Sequence, residues 1–296
     1  PKSRSPETRT AAAAMITGKT QLLGVIGDPI AHSLSPIMHN AAIAQMNLDY
    51  IYVPFRIAAE NLEAAIAGFS AIGVQGFSIT IPHKQAIIPL LSDVTEVAKD
   101  IGAVNTVWRT EQGWSGTNTD VIGFLSPLKA LSKSWNQSVA VILGNGGAAR
   151  AVVAGCAQLG FAEIHVIGRN AQKLEAFRQS WSIPLQVHLW EQLPELLSQA
   201  DLIVNTTPIG MSPHKDQSPI RDRDADRMKS GAIAYDLIYV PNPTRFLQQA
   251  TQRGVSAIDG LEMLVQQGAA ALEIWTQQAV PAETMLRSLR QHLGFE

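Results

Sequence analysis

The sequence predicts a two-domain α/β protein. An N-terminal, mostly parallel α/β domain precedes a Rossmann-type dinucleotide-binding domain. Three observations predict it. A short apolar strand over 138–143 runs directly into Gly144-Asn145-Gly146-Gly147-Ala148-Ala149-Arg150 and then an alanine-rich helical stretch through Leu159. Apolar strands and helical patterns alternate on both sides of that motif, the rhythm of βαβ units. The motif also falls in mid-chain, with enough sequence ahead of it for a whole domain.

Each element follows from local pattern. Residues 1–14 are polar and then alanine-only, with Lys2, Arg4 and Arg9 but no apolar signal-peptide core. Residues 1–19 therefore read as a disordered tail, with Met15 as a natural start. Leu22–Ile26, Tyr50–Phe55 and Val74–Ile79 are expected strands, and Pro36–Met46 and Ala59–Phe69 helices between them. Ala103–Trp108 and Gly113–Gly116 are expected to pair as a hairpin across Glu111-Gln112, followed by a connecting helix over Thr119–Leu131. The second series has strands at Val139–Leu143, Glu163–Ile167, Leu202–Asn205, Ala232–Leu237 and Val255–Ile258, with helices at Asn170–Gln179 and Pro243–Arg253. Pro208–Asp226 reads as a long loop. Leu261–Gln277 and Ala282–His292 are closing helices, the latter introduced by Pro281, and at least one is expected to fold back on the first domain. The expected limits are 20–121 plus 261–296 for the first domain and 122–260 for the dinucleotide domain.

Composition narrows the function. The chain has 296 residues, 46% hydrophobic and 16% charged, with a net charge of −2. That balance leaves no electrostatic footprint for nucleic acid or an anionic membrane, although one local cation suffices for a small anionic ligand. No apolar run is long enough to span a bilayer. The lone Cys156 forms no internal disulfide, and its place in a helix marks it as a small buried apolar residue. A reducing cytoplasm fits that usage.

Gly144, Gly146 and Ala149 occupy the three positions of G-x-G-x-x-G/A. The first permits the tight turn, the second admits a pyrophosphate to the backbone, and the third lets helix pack on strand. The residue ending the next strand selects the cofactor: a carboxylate grips the ribose of NAD, a cation the extra phosphate of NADP. Here that strand ends Gly168-Arg169-Asn170, and Lys173 follows one turn later. Arg169 and Lys173 therefore point to NADP, since an arginine fork matches phosphate oxygens. The plainer alternative is a surface Arg–Lys pair opening a helix.

Four segments of the first domain carry polar groups where loops follow strands. In 27–36, GDPIAHSLSP, Ser33 and Ser35 present hydroxyls at alternating positions, as an extended backbone would; Ser35 could equally be a helix cap. SITIPHK at 78–84 ends the third strand, so Lys84 stands where ligands sit in α/β sheets and can deliver charge or a proton to a carbonyl oxygen. GAVNT at 102–106 adds Asn105, and GTNTD at 116–120 adds Asp120, for which the plainer alternative is the acidic end of a helix.

With YDLIY at 235–239, DGLEMLVQQ at 259–267 and GNGGAAR at 144–150, these motifs in this order resemble the shikimate dehydrogenase family from Leu22 to the closing helices. The resemblance implies that Ser33, Ser35, Thr80, Asn105, Asp120, Tyr239 and Gln267 line a shikimate pocket, and that Lys84 and Asp120 are the catalytic pair. It implies that Gly144, Asn145, Gly146, Gly147, Ala148, Arg169, Lys173, Leu237 and Gly260 attend the nicotinamide cofactor, with Glu96 at a lesser cofactor-side position. It implies no metal. One departure stands out: the family commonly shows Asn-Arg-Thr where this chain has Gly168-Arg169-Asn170. The arginine is kept, so an NADP preference is still expected, without the flanking side-chain contacts. The implied activity is reversible reduction of 3-dehydroshikimate to shikimate by NADPH in aromatic amino-acid (chorismate) biosynthesis, by a cytoplasmic monomer or homodimer. Two alternatives remain open: a quinate/shikimate dehydrogenase with broad cofactor use, and a non-catalytic sensor of shikimate and nucleotide. A folate-linked methylene dehydrogenase has a similar layout but fits these segments poorly.

Overall fold

Leu23, Val25 and Ile26 fill β1 (Gln21–Gly27) with buried apolar side chains on both faces, which places this strand inside a sheet. The computed structural model describes residues 16–295; residues 1–15 of the expected tail, Met15 included, lie outside them. α1 (Ser35–Gln45) leads to β2 (Tyr50–Arg56), and α2 (Leu62–Ile72) leads to β3 (Gly76–Ile79); both strands lie parallel to β1. α3 (His83–Ala86), β4 (Asp93–Val94) and α4 (Glu96–Ile101) follow, then the expected hairpin, β5 (Thr106–Thr110) with β6 (Gly113–Thr117). The order is β2-β1-β3-β5-β6-β4, with β5 antiparallel to both its neighbours.

α5 (Asp120–Ala130) carries the chain across to the second sheet. That sheet takes β7 (Val139–Leu143), α6 (Gly147–Gln158), β8 (Glu163–Gly168), α7 (Ala171–Gln179) and β9 (Gln186–Leu189). It continues with α8 (Leu193–Leu197), β10 (Leu202–Asn205), α9 (Asp222–Ala225), β11 (Ile233–Asp236), α10 (Arg245–Thr251) and β12 (Ser256–Ile258). The order β12-β11-β10-β7-β8-β9 is all parallel and reverses direction around β7, so the crevice for a dinucleotide opens at the carboxyl end of β7. The loop over Pro208–Asp226 is not continuous as expected, because Asp222–Ala225 make one helical turn. The second closing helix starts at Ala282 as expected, but Pro281 stands just outside it as the capping residue rather than at its first position.

α11 (Leu261–Thr276) and α12 (Ala282–Leu293) fold back on the first sheet, as expected. Leu261, Val265, Leu272, Trp275, Met285 and Leu289 share one apolar core with Leu23, Val25, Met38 and Tyr52. Meanwhile Phe124, Leu125 and Leu128 of α5 join the core under β7, β8, β10 and β11, where Phe124 stacks on Tyr235 at 5.3 Å. α5 thus belongs to both packings. Glycines permit it: a Cβ on Gly155 would land on the Phe124 ring, and one on Gly123 on the Met263 carbonyl.

Trp275 clamps α11 to the sheet, its Nε1 donating to the Val107 carbonyl at 2.9 Å. Gly76 leaves room for that indole, since an added Cβ would meet its ring atoms. Gly76→Ala is expected to cost about 2–4 kcal/mol, combining overpacking with a lost buried hydrogen bond. That corresponds to a Tm roughly 5–10 °C lower. An unchanged melting curve would show that the indole moves without penalty.

Candidate active site

The carboxyl end of β3 turns at once into α3, and Lys84 sits on that single helical turn. Two contacts hold the turn. The Lys84 carbonyl accepts from the Val104 amide at 2.8 Å, and buried His83 places Nε2 2.7 Å from the Ile57 carbonyl, so that nitrogen carries the proton. Lys84 Nζ then donates to Asp120 Oδ2 at 2.6 Å. Asp120 opens α5, with its own amide donating to Asn118 Oδ1. Its second oxygen, Oδ1, accepts from Asn105 Nδ2 at 2.8 Å. The same amide nitrogen lies 3.0 Å from Thr119 Oγ1 and 3.4 Å from Gln267 Oε1. Side-chain exposure is 20% for Lys84 and 9% for Asp120, so the ion pair is mostly buried and the ammonium is its more exposed member.

Lys84, Asn105, Asp120 and Gln267, chosen from four separate segments, are therefore brought into one hydrogen-bonded cluster. Asn105 is its hub: Oδ1 accepts from the Thr119 amide at 2.8 Å and from Thr106 Oγ1 at 2.9 Å. This fully paired amide, 2% exposed, fixes the carboxylate without neutralising it.

Ser33 and Ser35 differ from expectation. Leu34 is helical in its dihedrals (φ −86°, ψ −8°) and Ser35 already begins α1. The backbone is thus a turn rather than extended, and Ser35 does not cap the helix. The Ser33 hydroxyl instead accepts from the Ser35 amide at 3.3 Å. Pro36 in the first turn of α1 is compatible with this, since its fixed φ suits a first helical turn. Thr80 lies half-buried just past β3, its backbone spanning the Ile26 carbonyl and the His83 amide. Tyr239 reaches from beyond β11 to pack against the core of the first sheet, and burial pushes its hydroxyl above the ordinary range, leaving a neutral phenol.

Sequence reasoning passed over Ser78 and Tyr52. Both hydroxyls are buried without a hydrogen-bond partner among the described residues. The signal was present in Ser78-Ile79-Thr80, where alternate residues of a strand share a face.

At the second sheet, Gly144 holds φ +106°, and a Cβ there would lie 2.7 Å from Thr206 Oγ1. This position requires glycine. Beyond Gly146 and Gly147 an added Cβ would meet nothing within 4 Å, so the turn faces open space. The amides of Gly146, Gly147 and Ala148 have no protein acceptor among the described residues, and α6 lacks a side-chain cap. That is an anion cradle at a helix N-terminus. Arg169 and Lys173 are exposed beyond β8, and neither has a carboxylate within 4.0 Å among the described residues. Asn170 caps α7, its side-chain oxygen accepting from the Lys173 amide at 2.9 Å. Leu237 and Gly260 meet: a Cβ on Gly260 would strike the Leu237 carbonyl. The need for glycine at 260 is therefore a backbone contact. Glu96 is not drawn into either cluster. Its side chain is 85% exposed and paired with Lys99 Nζ at 2.7 Å.

Arg150, the last residue of the glycine motif, turns away from the cradle. Its guanidinium donates to the Ile101 carbonyl and to Ser180 Oγ, and lies over the Phe177 and Trp181 rings. Cys156 is fully buried in α6, as expected, and burial pushes its thiol up. Among the described residues no group of His, Cys, Asp and Glu is arranged to hold a metal ion, and no helix is long and apolar enough to cross a membrane.

Comparison with known proteins decides the family. A model of the shikimate dehydrogenase substrate binding domain matches residues 25–107, a shikimate / quinate 5-dehydrogenase model 128–263, and a shikimate 5'-dehydrogenase C-terminal domain model 260–290. A protein of Trichormus variabilis named shikimate dehydrogenase (NADP(+)) is 64% identical over 287 residues, covering 95% of this chain and 99% of that one. The chain belongs to the shikimate dehydrogenase family.

Solved structures agree on the fold expected for a member of that family. Shikimate dehydrogenase from Aquifex aeolicus superposes with a TM-score of 0.86 at 38% identity, covering 93% of this chain and 100% of that one. The Thermus thermophilus shikimate 5-dehydrogenase, solved with NADP(H) and shikimate, gives 0.82 at 34% identity over 92% and 99%. A 5-ketofructose reductase from Gluconobacter also matches, at 0.83 and 32% over 93% and 100%. The glycine turn with its unpaired amides and the two free cations beyond β8 suit the pyrophosphate and 2′-phosphate of the NADP named for the family's members.

Proposed function

We propose that this protein catalyses the reversible NADPH-dependent reduction of 3-dehydroshikimate to shikimate, a step of aromatic amino-acid (chorismate) biosynthesis. The observation that carries the proposal is the mostly buried 2.6 Å Lys84–Asp120 pair, in a chain 64% identical to a named shikimate dehydrogenase (NADP(+)). When bound, NADPH supplies the hydride.

The chain's own residues do the rest. Negative charge grows on the ketone oxygen as the carbonyl is reduced. The Lys84 ammonium meets that charge and delivers the proton that makes the hydroxyl. Asp120, anchored by Asn105, keeps Nζ on one side of the cleft and takes a substrate hydroxyl. Gln267 and Thr80 flank the ring; Ser33, Ser35 and Tyr239 hold the carboxylate end. The unpaired hydroxyls of Ser78 and Tyr52 support a polar guest in the same pocket. Backbone amides at 146–148 receive the pyrophosphate, and Arg169 with Lys173 the 2′-phosphate. Glu96 plays at most a peripheral part, since its carboxylate is occupied by Lys99.

The working division is 20–121 plus 261–296 for substrate and 122–260 for NADP, supported by the core that joins α11 and α12 to the first sheet. A small-molecule partner, no nucleic acid and a cytoplasmic setting suit the net charge of −2 and the buried lone cysteine. Steady-state turnover with shikimate and NADP, run beside quinate with NAD and 5-ketofructose with NADPH, tests the reading. The expected result is a kcat/KM for shikimate and NADP at least tenfold above the other pairs. Preference for quinate with NAD would move the chain to the broad-specificity enzymes, and no turnover at all would leave only a sensor.

A further inference from the structure

Asp236 and Asn205 end neighbouring strands, β11 and β10, and are direct register partners. Both are completely buried, as is Thr244 at the start of α10. Asp236 Oδ1 accepts from Asn205 Nδ2 at 3.0 Å and from the Ile238 amide at 3.1 Å. Oδ2 accepts from Thr244 Oγ1 at 2.7 Å, while that hydroxyl caps α10 by accepting from the Leu247 amide. One carboxylate therefore fastens both ends of the segment 237–244, which contains Leu237 and Tyr239. Asn205 extends the network to the loop after β10, donating to the Ile209 carbonyl and accepting from Thr207.

No lysine or arginine among the described residues pairs with Asp236, so three neutral donors hold a carboxyl group in a dry site. Such a site is costly and unnecessary for merely closing a turn. It has a use at this location. The carboxyl ends of strands are where α/β sheets bind ligands. Here the loop must present one side chain, Tyr239, across to the core of the first sheet while its Leu237 carbonyl lies against Gly260. Loop amide and hydroxyl both point inward as donors, and a carboxylate satisfies one with each oxygen.

We propose that Asp236 is a positioning residue for the dehydrogenase reaction, setting through Ile238 and Thr244 where Leu237 and Tyr239 stand over the cleft. Burial, the larger influence, pushes its carboxyl up to about 6 against the three hydrogen bonds that lower it, so it remains an acceptor at neutral pH and above. The proposal rests on the dehydrogenase reading through the parts assigned to Leu237 and Tyr239.

The test uses Thr244→Val, which keeps shape but removes the hydroxyl, with Thr244→Ser as the conservative rescue and Asp236→Asn as a second route. Thr244→Val is expected to lower kcat/KM for shikimate roughly 10- to 100-fold, the scale of an ångström-level misplacement. The Kd of adenosine 2′,5′-bisphosphate, a probe of the far half of the nucleotide site, is expected to stay within about twofold. Thr244→Ser is expected to restore most of the loss. Hydrogen exchange of peptides spanning 237–244 is expected to quicken in Thr244→Val and Asp236→Asn without change in β7 or β8. Unmodified protein that turns over no shikimate defeats the dehydrogenase reading alone, and the exchange measurement still judges the loop. Unchanged exchange, unchanged kcat/KM in the folded variants, or an equal loss of bisphosphate affinity would each overturn the positioning role.

Discussion

Replacing Lys84 by alanine is expected to lower kcat by roughly 10²–10⁴, the usual worth of a placed general acid, while KM for shikimate changes little. The asymmetry follows from the geometry. Nζ already has a partner in Asp120 Oδ2 at 2.6 Å before substrate arrives, so it adds modestly to ground-state binding. Its contribution grows only as charge develops on the ketone oxygen, which is the condition for an effect on kcat rather than on KM. The variant is expected to fold. Asp120 keeps the Asn105 amide on Oδ1, and truncating the partly exposed lysine opens Oδ2 to water. Initial rates followed at the reduced-nicotinamide absorbance, with a melting curve as control, check it. Near-full turnover by a folded Lys84→Ala protein would remove this lysine from the chemistry.

Removing Arg169 and Lys173 together is expected to raise KM for NADP by roughly 10²-fold, the scale of two lost charge-assisted contacts, with kcat at saturation retained. KM for NAD is expected to stay within about twofold, because both side chains lie exposed beyond β8 and neither pairs with a carboxylate among the described residues. Asn170 is a poor substitute for them, since its side chain offers only a neutral amide donor while its oxygen caps α7. Screening adds a second signature: the gap between the two cofactors should narrow as ionic strength rises. Equal losses for NADP and NAD would mean that the pair merely decorates α7.

Patterns carried within a few residues were legible. Val139–Leu143 is a run of buried apolar residues closed by a glycine turn, and it is strand β7 to the residue. The two closing helices and the β5–β6 hairpin were read from periodicity and from a short polar gap. Several other short elements were not. Asp93–Val94, Gln186–Leu189, His83–Ala86 and Leu193–Leu197 carry no distinct apolar run or period of their own, and the two strands among them form because β6 and β8 supply their partners. The turn at Ser33-Leu34-Ser35 was misread for a related reason. Alternation of serines resembles a strand, but the proline that follows is equally suited to the first turn of a helix, and α1 begins there.

The site divides the same way. Lys84 and Asp120 could be named as candidates, since each follows a strand beside small or turn-forming residues. Their meeting could not, because positions 84, 105, 120 and 267 touch only after β3, β5 and β6 align and α11 docks through Trp275. Arg150 shows the converse. A cation ending a glycine motif invites a phosphate, yet the structure spends it on the Ile101 carbonyl and two aromatic rings.

Backbone preference, capping and side-chain periodicity act between near neighbours, so composition and spacing alone settled the alternation of strands and helices, the glycine turn and the sign of charge beyond β8. Strand register, helix docking and the pairing of buried polar groups minimise the free energy of entire cores, and many residue combinations meet that demand. Only the folded chain could therefore choose which distant side chains share a cleft, and which buried carboxylate keeps company with an ammonium and which with none.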